Sequence, residues 1–401
     1  MKRAPADLAV FGGPEAFLHT LHTGRPTVGD RKRFFARLEW ALNNNWLTNG
    51  GPLVREFEGR VADLAGVQHC VATCNATVAL QLVLRASDVC GEVIMPSMTF
   101  VATAHAASWL GLEPVFCDVD PETGLLDPQH AAALVTPRTG AIIGVHLWGS
   151  PAPTEALEKL AVEHQIKLFF DAAHALGAKS GGRAVGGFGN AEVFSFHATK
   201  TVTAFEGGAI VTNDGLLADR VRAMHNFGIG SAKAVVDVGT NGKMSECAAA
   251  MGLTSLDAFA ETRRHNQRNH ALYSAELSGV PGIRVHAFDP EEHNNHQYVI
   301  ISVDRHVIGI DRDQLQAILA AEKVVAQPYF SQGCHQMQPY RTEPPLRLEH
   351  TERLSERVLA LPTGPAVSSE DIRRVCDIIR FAATSGELIN ALWDQSTCAA
   401  R

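Results

Sequence analysis

Between residues 50 and 265 the chain alternates short, wholly apolar runs with longer runs of helical spacing, and this alternation limits the fold more than any other feature. Strand-like runs fall at 92–95 (EVIM), 114–119 (PVFCDV), 141–146 (AIIGVH), 167–170 (KLFF), 193–196 (VFSF) and 209–212 (AIVT). Helical spacing falls at 54–65, 77–86, 100–110 and 153–164. A strand that is apolar along its whole length has no solvated face, so its sheet must be covered on both sides. Crossover helices provide that cover. The region is therefore an α/β domain with a mainly parallel, mixed sheet flanked by helices. After residue 265 the pattern changes: helical runs at 264–277, 311–322 and 368–383 surround one clear strand at 297–303, with 324–327 extended. The expectation is a large domain over 1–265, including an N-terminal segment at 1–45, and a smaller C-terminal α+β domain over 266–401.

Bulk properties remove several function classes. A formal charge of −8 argues against nucleic acid as the main partner. No apolar run reaches the length that spans a bilayer. The start of the chain, Met1-Lys2-Arg3, is basic but leads into no apolar core, so no signal peptide is expected. The eight cysteines contain no CxxC pair, the closest two being Cys70 and Cys74. Free thiols in a cytoplasmic protein are expected, and no zinc site.

In open parallel sheets ligands collect beyond the carboxyl ends of the strands. Four such junctions carry informative residues. At 73–77 (TCNAT) small and hydroxylated residues open a helix, where free N–H groups and the helix dipole suit a phosphate; a simple N-cap by Asn75 or Thr77 explains the same residues. Phe100, after EVIM, can cover a flat ligand or belong to the core. Asp171, after KLFF, needs a cationic or donating partner if ionised at a buried strand end, or else it caps a helix. Lys200 lies between two apolar strands, beside Glu206-Gly207-Gly208. A lysine there is costly unless it is paired or covalently used, or reaches solvent along its stem. Together the four make a parts list for pyridoxal 5′-phosphate: a phosphate cradle, an aromatic cover, an aspartate for the pyridine nitrogen and a lysine for the aldehyde.

From about Trp46 to about Tyr340 the chain resembles the DegT/DnrJ/EryC1/StrS family of PLP-dependent nucleotide-sugar aminotransferases. The resemblance rests on WLTNGGPLVREFE from Trp46, CNATVAL from Cys74, PSMTFVATAHA from Pro96, DAAHALGA from Asp171, FSFHATK from Phe194, EGGAIVTND from Glu206, HNFG from His225 and NGKMSE from Asn241. It implies the aspartate aminotransferase fold (fold type I). It implies that Lys200 holds the cofactor aldehyde and moves the proton. Asp171 would partner the pyridine nitrogen, Ser195 with Ala76 and Thr77 the phosphate, and Phe100 the ring face. His174 would lie near the ring hydroxyl, and Asn241 would reach the phosphate of a neighbouring subunit in a homodimer with shared sites. Phe205 stands where many members have glycine, and Lys243 where arginine is more frequent. The family's dehydratases replace the lysine with histidine; Lys200 therefore favours transamination over dehydration.

The reaction so implied is ping-pong. L-glutamate gives its amine and leaves as 2-oxoglutarate. The acceptor is the C4 ketone of a dTDP-4-keto-6-deoxyhexose such as dTDP-4-keto-6-deoxyglucose, giving a dTDP-4-amino-4,6-dideoxyhexose, with C3 amination of a 3-keto isomer as the rival. Tyr329 and His335, with His296 and Tyr298, are candidates for the sugar pocket. Two readings from other classes are a non-catalytic PLP-fold regulator and a desulfurase, for which Cys334 would be the nucleophile.

Overall fold

The computed structural model describes residues 2–289 and 293–399. Seven strands form one sheet: β1 (His69–Thr73), β2 (Glu92–Pro96), β3 (Glu113–Cys117), β4 (Thr139–Val145), β5 (Lys167–Asp171), β6 (Ala191–Ser195) and β7 (Gly208–Thr212), in the order β1-β7-β6-β5-β4-β2-β3. All run parallel except β7, which is antiparallel to both β1 and β6. Valine, isoleucine and phenylalanine fill the buried strands, as a sheet covered on both faces requires.

The helices start where local chemistry stops the strands. In α1 (Arg31–Asn43) the Asp30 carboxylate accepts from Lys32 N. Pro52 opens α2 (Pro52–Ala65), where its missing N–H costs nothing, and Gly66 ends it at φ 65°. Asn75 caps α3 (Ala76–Ala86) through Val78 N at 2.8 Å. A fourth helix, α4 (Ala102–Ser108), follows β2. Then α5 (Glu246–Leu277) runs for 32 residues through both cores, with Leu256 and Phe259 in the first and Tyr273 and Leu277 in the second.

The N-terminus of α2 is held by a distant carboxylate. Fully buried Glu246 accepts from Leu53 N at 2.9 Å and Val54 N at 3.3 Å. Two helix N–H donors and the dipole satisfy it there. Glu246→Ala should destabilise the chain by about 2–4 kcal/mol, read as the shift in a urea unfolding curve, because both donors lose their acceptor inside the core.

The second core surrounds a three-stranded antiparallel sheet: β8 (Ile283–Val285), β9 (Val299–Val303) in the centre and β10 (Val358–Leu361). The helices α6 (Arg312–Ala321) and α7 (Ser369–Thr384) cover it. The expected boundary at 265 falls inside α5, which belongs to both cores. The N-terminal segment also divides. Leu8 and Phe17 are buried in the second core, and Glu322 accepts from Ala9 N at 2.8 Å and Ala16 N at 2.7 Å. Phe34 and Ala41 of α1 pack in the first core. No helix among the described residues is long and apolar enough to cross a membrane.

Candidate active site

A cavity of about 380 Å³ opens at the carboxyl edge of the sheet. Its floor is built from strand ends: Asn75, Ala76 and Thr77 after β1, Thr99 and Phe100 after β2, Asp171 at the end of β5 and Ser195 at the end of β6. Because β7 runs the other way, its entrance at Gly207 reaches the same edge. The approach there is close. A Cβ on Gly208 would lie 2.6 Å from Ala76 N, so a side chain would fill the space in front of the first turn of α3. The N–H groups of Ala76 and Thr77 have no partner among the described residues, and Ser195 adds a half-buried hydroxyl. That is a donor set for an anion at a helix start.

Asp171 is buried and fixed at both oxygens. Thr103 Oγ1 of α4 donates at 2.8 Å and Ala173 N at 3.1 Å, while Thr99 and Thr103 share a hydroxyl contact of 2.9 Å. Its carboxylate faces the cavity that also receives the Lys200 amine. Burial lowers Lys200 to about 8, against an opposing pull from the Asp171 charge. A larger share of the amine is therefore neutral and nucleophilic near pH 7.5 than for an exposed lysine. Lys200 Nζ donates to the Tyr298 hydroxyl at 3.2 Å.

His174 is buried beside Lys200. Burial first, and then the lysine's charge, hold its proton affinity well below the ordinary histidine value. Its Nδ1 accepts from Trp148 N at 3.3 Å, so the neutral ring carries its proton on Nε2. Trp148 makes this contact from a left-handed backbone at φ 57°, unusual for a bulky residue, and its indole Nε1 donates to Tyr329 O at 2.9 Å. Phe100 is 59% exposed at the cavity mouth, with its ring centroid 6.2 Å from that of Phe330. The Tyr329 ring meets Tyr298 edge-on at 5.5 Å.

Two expected residues are placed elsewhere. His335 does not line the cavity: it is buried against Ser97, with Nδ1 2.7 Å from Ser97 Oγ and Nε2 3.3 Å from Glu352. Its short turn (Cys334–Gln336) points the ring back onto the loop after β2, which corrects the expectation of a sugar contact. Asn241 is exposed and outside this chain's own cavity, bridging to Asn226. Cys334 is fully buried, its thiol donates to Thr99 O, and burial pushes it up to about 12; no cysteine lines the cavity among the described residues. That leaves no reactive thiol for a desulfurase. Phe205 adopts φ 64°, in the left-handed region that favours glycine, and its ring packs edge-on at 5.9 Å against Phe34.

The family model described as the DegT/DnrJ/EryC1/StrS aminotransferase family matches residues 29–380. The chain belongs to this family. Among solved DegT/DnrJ/EryC1/StrS relatives, DesI, determined in the presence of its TDP-sugar product, is 57% identical; the match covers 98% of this chain and 100% of DesI, with a TM-score of 0.95. DesV of S. venezuelae, solved with a ketimine intermediate, is 30% identical over 90% of this chain and 98% of DesV, with a TM-score of 0.83. The curated dTDP-4-amino-4,6-dideoxy-D-glucose transaminase of Escherichia coli is 31% identical over 366 residues, covering 90% of this chain and 98% of that protein. The fold is that of the family, and the chain is an aminotransferase.

Proposed function

We propose that this aminotransferase moves the amino group of L-glutamate to C4 of dTDP-4-keto-6-deoxyglucose, with pyridoxal 5′-phosphate as the carrier. The observation that carries the reading is the convergence of the Lys200 amine and the Asp171 carboxylate on one cavity, beneath a helix start with free N–H donors. The residues fit the cofactor. Ala76 N–H, Thr77 and the Ser195 hydroxyl would hold its phosphate, Asp171 its pyridine nitrogen and the Nε2–H of His174 its ring hydroxyl, with Phe100 over the ring. When bound, the cofactor supplies an electron sink and a place to store the amine. Lys200 Nζ would hold the aldehyde and move a proton at the reacting carbon; its lowered proton affinity suits both tasks. Thr103 Oγ1 and Ala173 N hold the Asp171 carboxylate in place.

C4 is favoured over C3 because the curated relative is named for a 4-amino sugar, and because the 57% identical relative was solved with a TDP-sugar product. Incubation of the loaded enzyme with L-glutamate and dTDP-4-keto-6-deoxyglucose should release 2-oxoglutarate mole for mole and give, by NMR, a carbon–nitrogen bond at C4. Turnover only with a 3-keto isomer would reassign the position. A bound cofactor with no response to any amino donor would revive the regulator reading.

The working unit in this reading is a homodimer with shared sites. Phe35, Trp40, Trp46, Leu47, Phe227 and Val236 are all at least 39% exposed, and a partner chain is the cover this reading gives them. Asn241 would then reach a neighbour's phosphate. Mixing Lys200→Ala and Asn241→Ala chains tests this. Each is impaired alone, but a mixed dimer contains one site with neither change, so unfolding and refolding them together should restore up to about a quarter of wild-type activity. Unshared sites would give no recovery above the sum of the two.

A further inference from the structure

The segment just before β9 meets the Lys200 amine and the residue that follows it, and the reaction as described gives it no task. Tyr298 is 5% exposed, and its hydroxyl accepts from Lys200 Nζ at 3.2 Å. The next residue back, Gln297, accepts with one Oε1 from both Thr201 N and Thr201 Oγ1, each at 3.0 Å. Gln297 is itself set by Asn295 Oδ1, which accepts from Gln297 N at 3.0 Å. Asn295 in turn donates to His174 O at 2.8 Å. The segment leading into a strand of the second core thus fixes the backbone immediately after Lys200 and offers its amine a hydroxyl.

We propose that Tyr298 is a catalytic residue that docks the free Lys200 amine whenever that amine is not engaged with the cofactor, and that Gln297 is the positioning residue that keeps the docking distance. The chemistry favours a phenol here. A lysine that alternates between holding an aldehyde and moving a proton must spend part of each cycle as a free amine. On a flexible four-carbon stem that amine would otherwise sample many rotamers. A hydroxyl both donates and accepts, so it can hold the amine in either protonation state, and it holds the charged form more strongly. Burial pushes the Tyr298 phenol upward, which keeps it neutral and prevents a fixed ion pair that would take the lysine out of use. Besides Lys200, the titratable groups on this cavity are His146, Asp171, His174, His197, Glu206, Tyr298 and Tyr329. Of these, only Tyr298 accepts a hydrogen bond from Nζ among the described residues.

The proposal rests on the reading of Lys200 as the amine carrier, and its test separates the two. The full-length chain is freed of cofactor and pulsed with trace labelled acetic anhydride between pH 6 and 11. Mass spectrometry of the Lys200 peptide then gives that lysine's own titration curve. Wild type should titrate near 8. Tyr298→Phe keeps the ring and removes the acceptor, so the midpoint should fall by about one pH unit, a tenfold change in proton affinity of the size one charge-assisted hydrogen bond carries. Tyr329→Phe, whose ring abuts Tyr298 without bonding the amine, should leave the curve unmoved. Melting curves of both variants check that the fold is kept. A Tyr298→Phe curve that overlies the wild-type curve overturns the docking role. Borohydride reduction of the loaded wild-type enzyme that leaves the cofactor on a peptide other than that of Lys200 overturns the reading of Lys200 itself.

Discussion

Replacing Lys200 with alanine is expected to lower turnover by about 10⁴-fold or more, in an assay that follows 2-oxoglutarate release from L-glutamate. Lys200 carries the only primary side-chain amine on the cavity among the described residues, so nothing else there can hold an aldehyde and return a proton from the same face. Losing the proton transfer alone costs about 10²–10⁴-fold, and losing the covalent hold adds to it. Added methylamine should restore part of the rate in Lys200→Ala, because a small amine can enter the vacated space and take over the proton transfer. The cofactor-free chain has a signature of its own. Burial lowers Lys200 to about 8 in the folded state, while the unfolded state keeps the ordinary value. Between those two pH values the unfolded chain binds more protons, so wild-type stability rises with pH across that window, and the burial penalty is fully present below it. The variant lacks this rise. Thermal melts at pH 7 and pH 9.5 should show the wild type gaining on Lys200→Ala at the higher pH. A variant that keeps turnover within tenfold, with no methylamine dependence, would remove Lys200 from the chemistry.

The large sheet was readable from the sequence because most of its strands hold short apolar runs, VIM in β2, AII in β4, LFF in β5 and AIV in β7, a pattern that a sheet covered on both faces explains. Lys200 and Asp171 were readable for a related reason: a charged residue at the end of such a run stands out against its surroundings. The first strand was harder. His69–Thr73 holds only Cys70, Val71 and Ala72 between its ends, small side chains that give less apolar contrast than the LFF of β5. The helix α5 was expected only from 264, because its first half, rich in alanine, is buried on nearly all sides and shows no amphipathic stripe. Gly215–Met224, packed on α3, passed unnoticed as well.

The misses around the site have a different origin. Thr103, Trp148 and Gln297 act through hydrogen bonds that depend on backbone direction, which periodicity does not report. Trp148 had one signal: it follows a strand end, the place where ligand-facing residues gather. His335 shows the converse error. It lies six residues after Tyr329, yet one turn of chain aims it at Ser97 and away from the cavity. Nearness in sequence says little about facing once a loop reverses.

Asp171→Asn is the second large effect expected, and it isolates charge from shape. Asparagine is nearly the same size and keeps one acceptor oxygen for Thr103 or Ala173 N, so the carboxylate's mechanical role largely survives. Its negative charge does not. A neutral amide cannot keep a ring nitrogen protonated, so kcat/KM for L-glutamate should fall about 10²–10³-fold, while stability changes by less than about 2 kcal/mol. The same substitution acts on Lys200. The Asp171 charge raises the lysine's proton affinity against burial, so Asp171→Asn should move the Lys200 titration of the cofactor-free chain further below 8. A lysine that titrates lower is a better nucleophile at neutral pH, and cofactor uptake should therefore be as fast as in wild type or faster even as turnover collapses. That opposition of loading and turnover distinguishes an electronic role from a structural one. A merely structural aspartate would slow both, whereas turnover within about threefold of wild type would mean that the cavity does not need the charge.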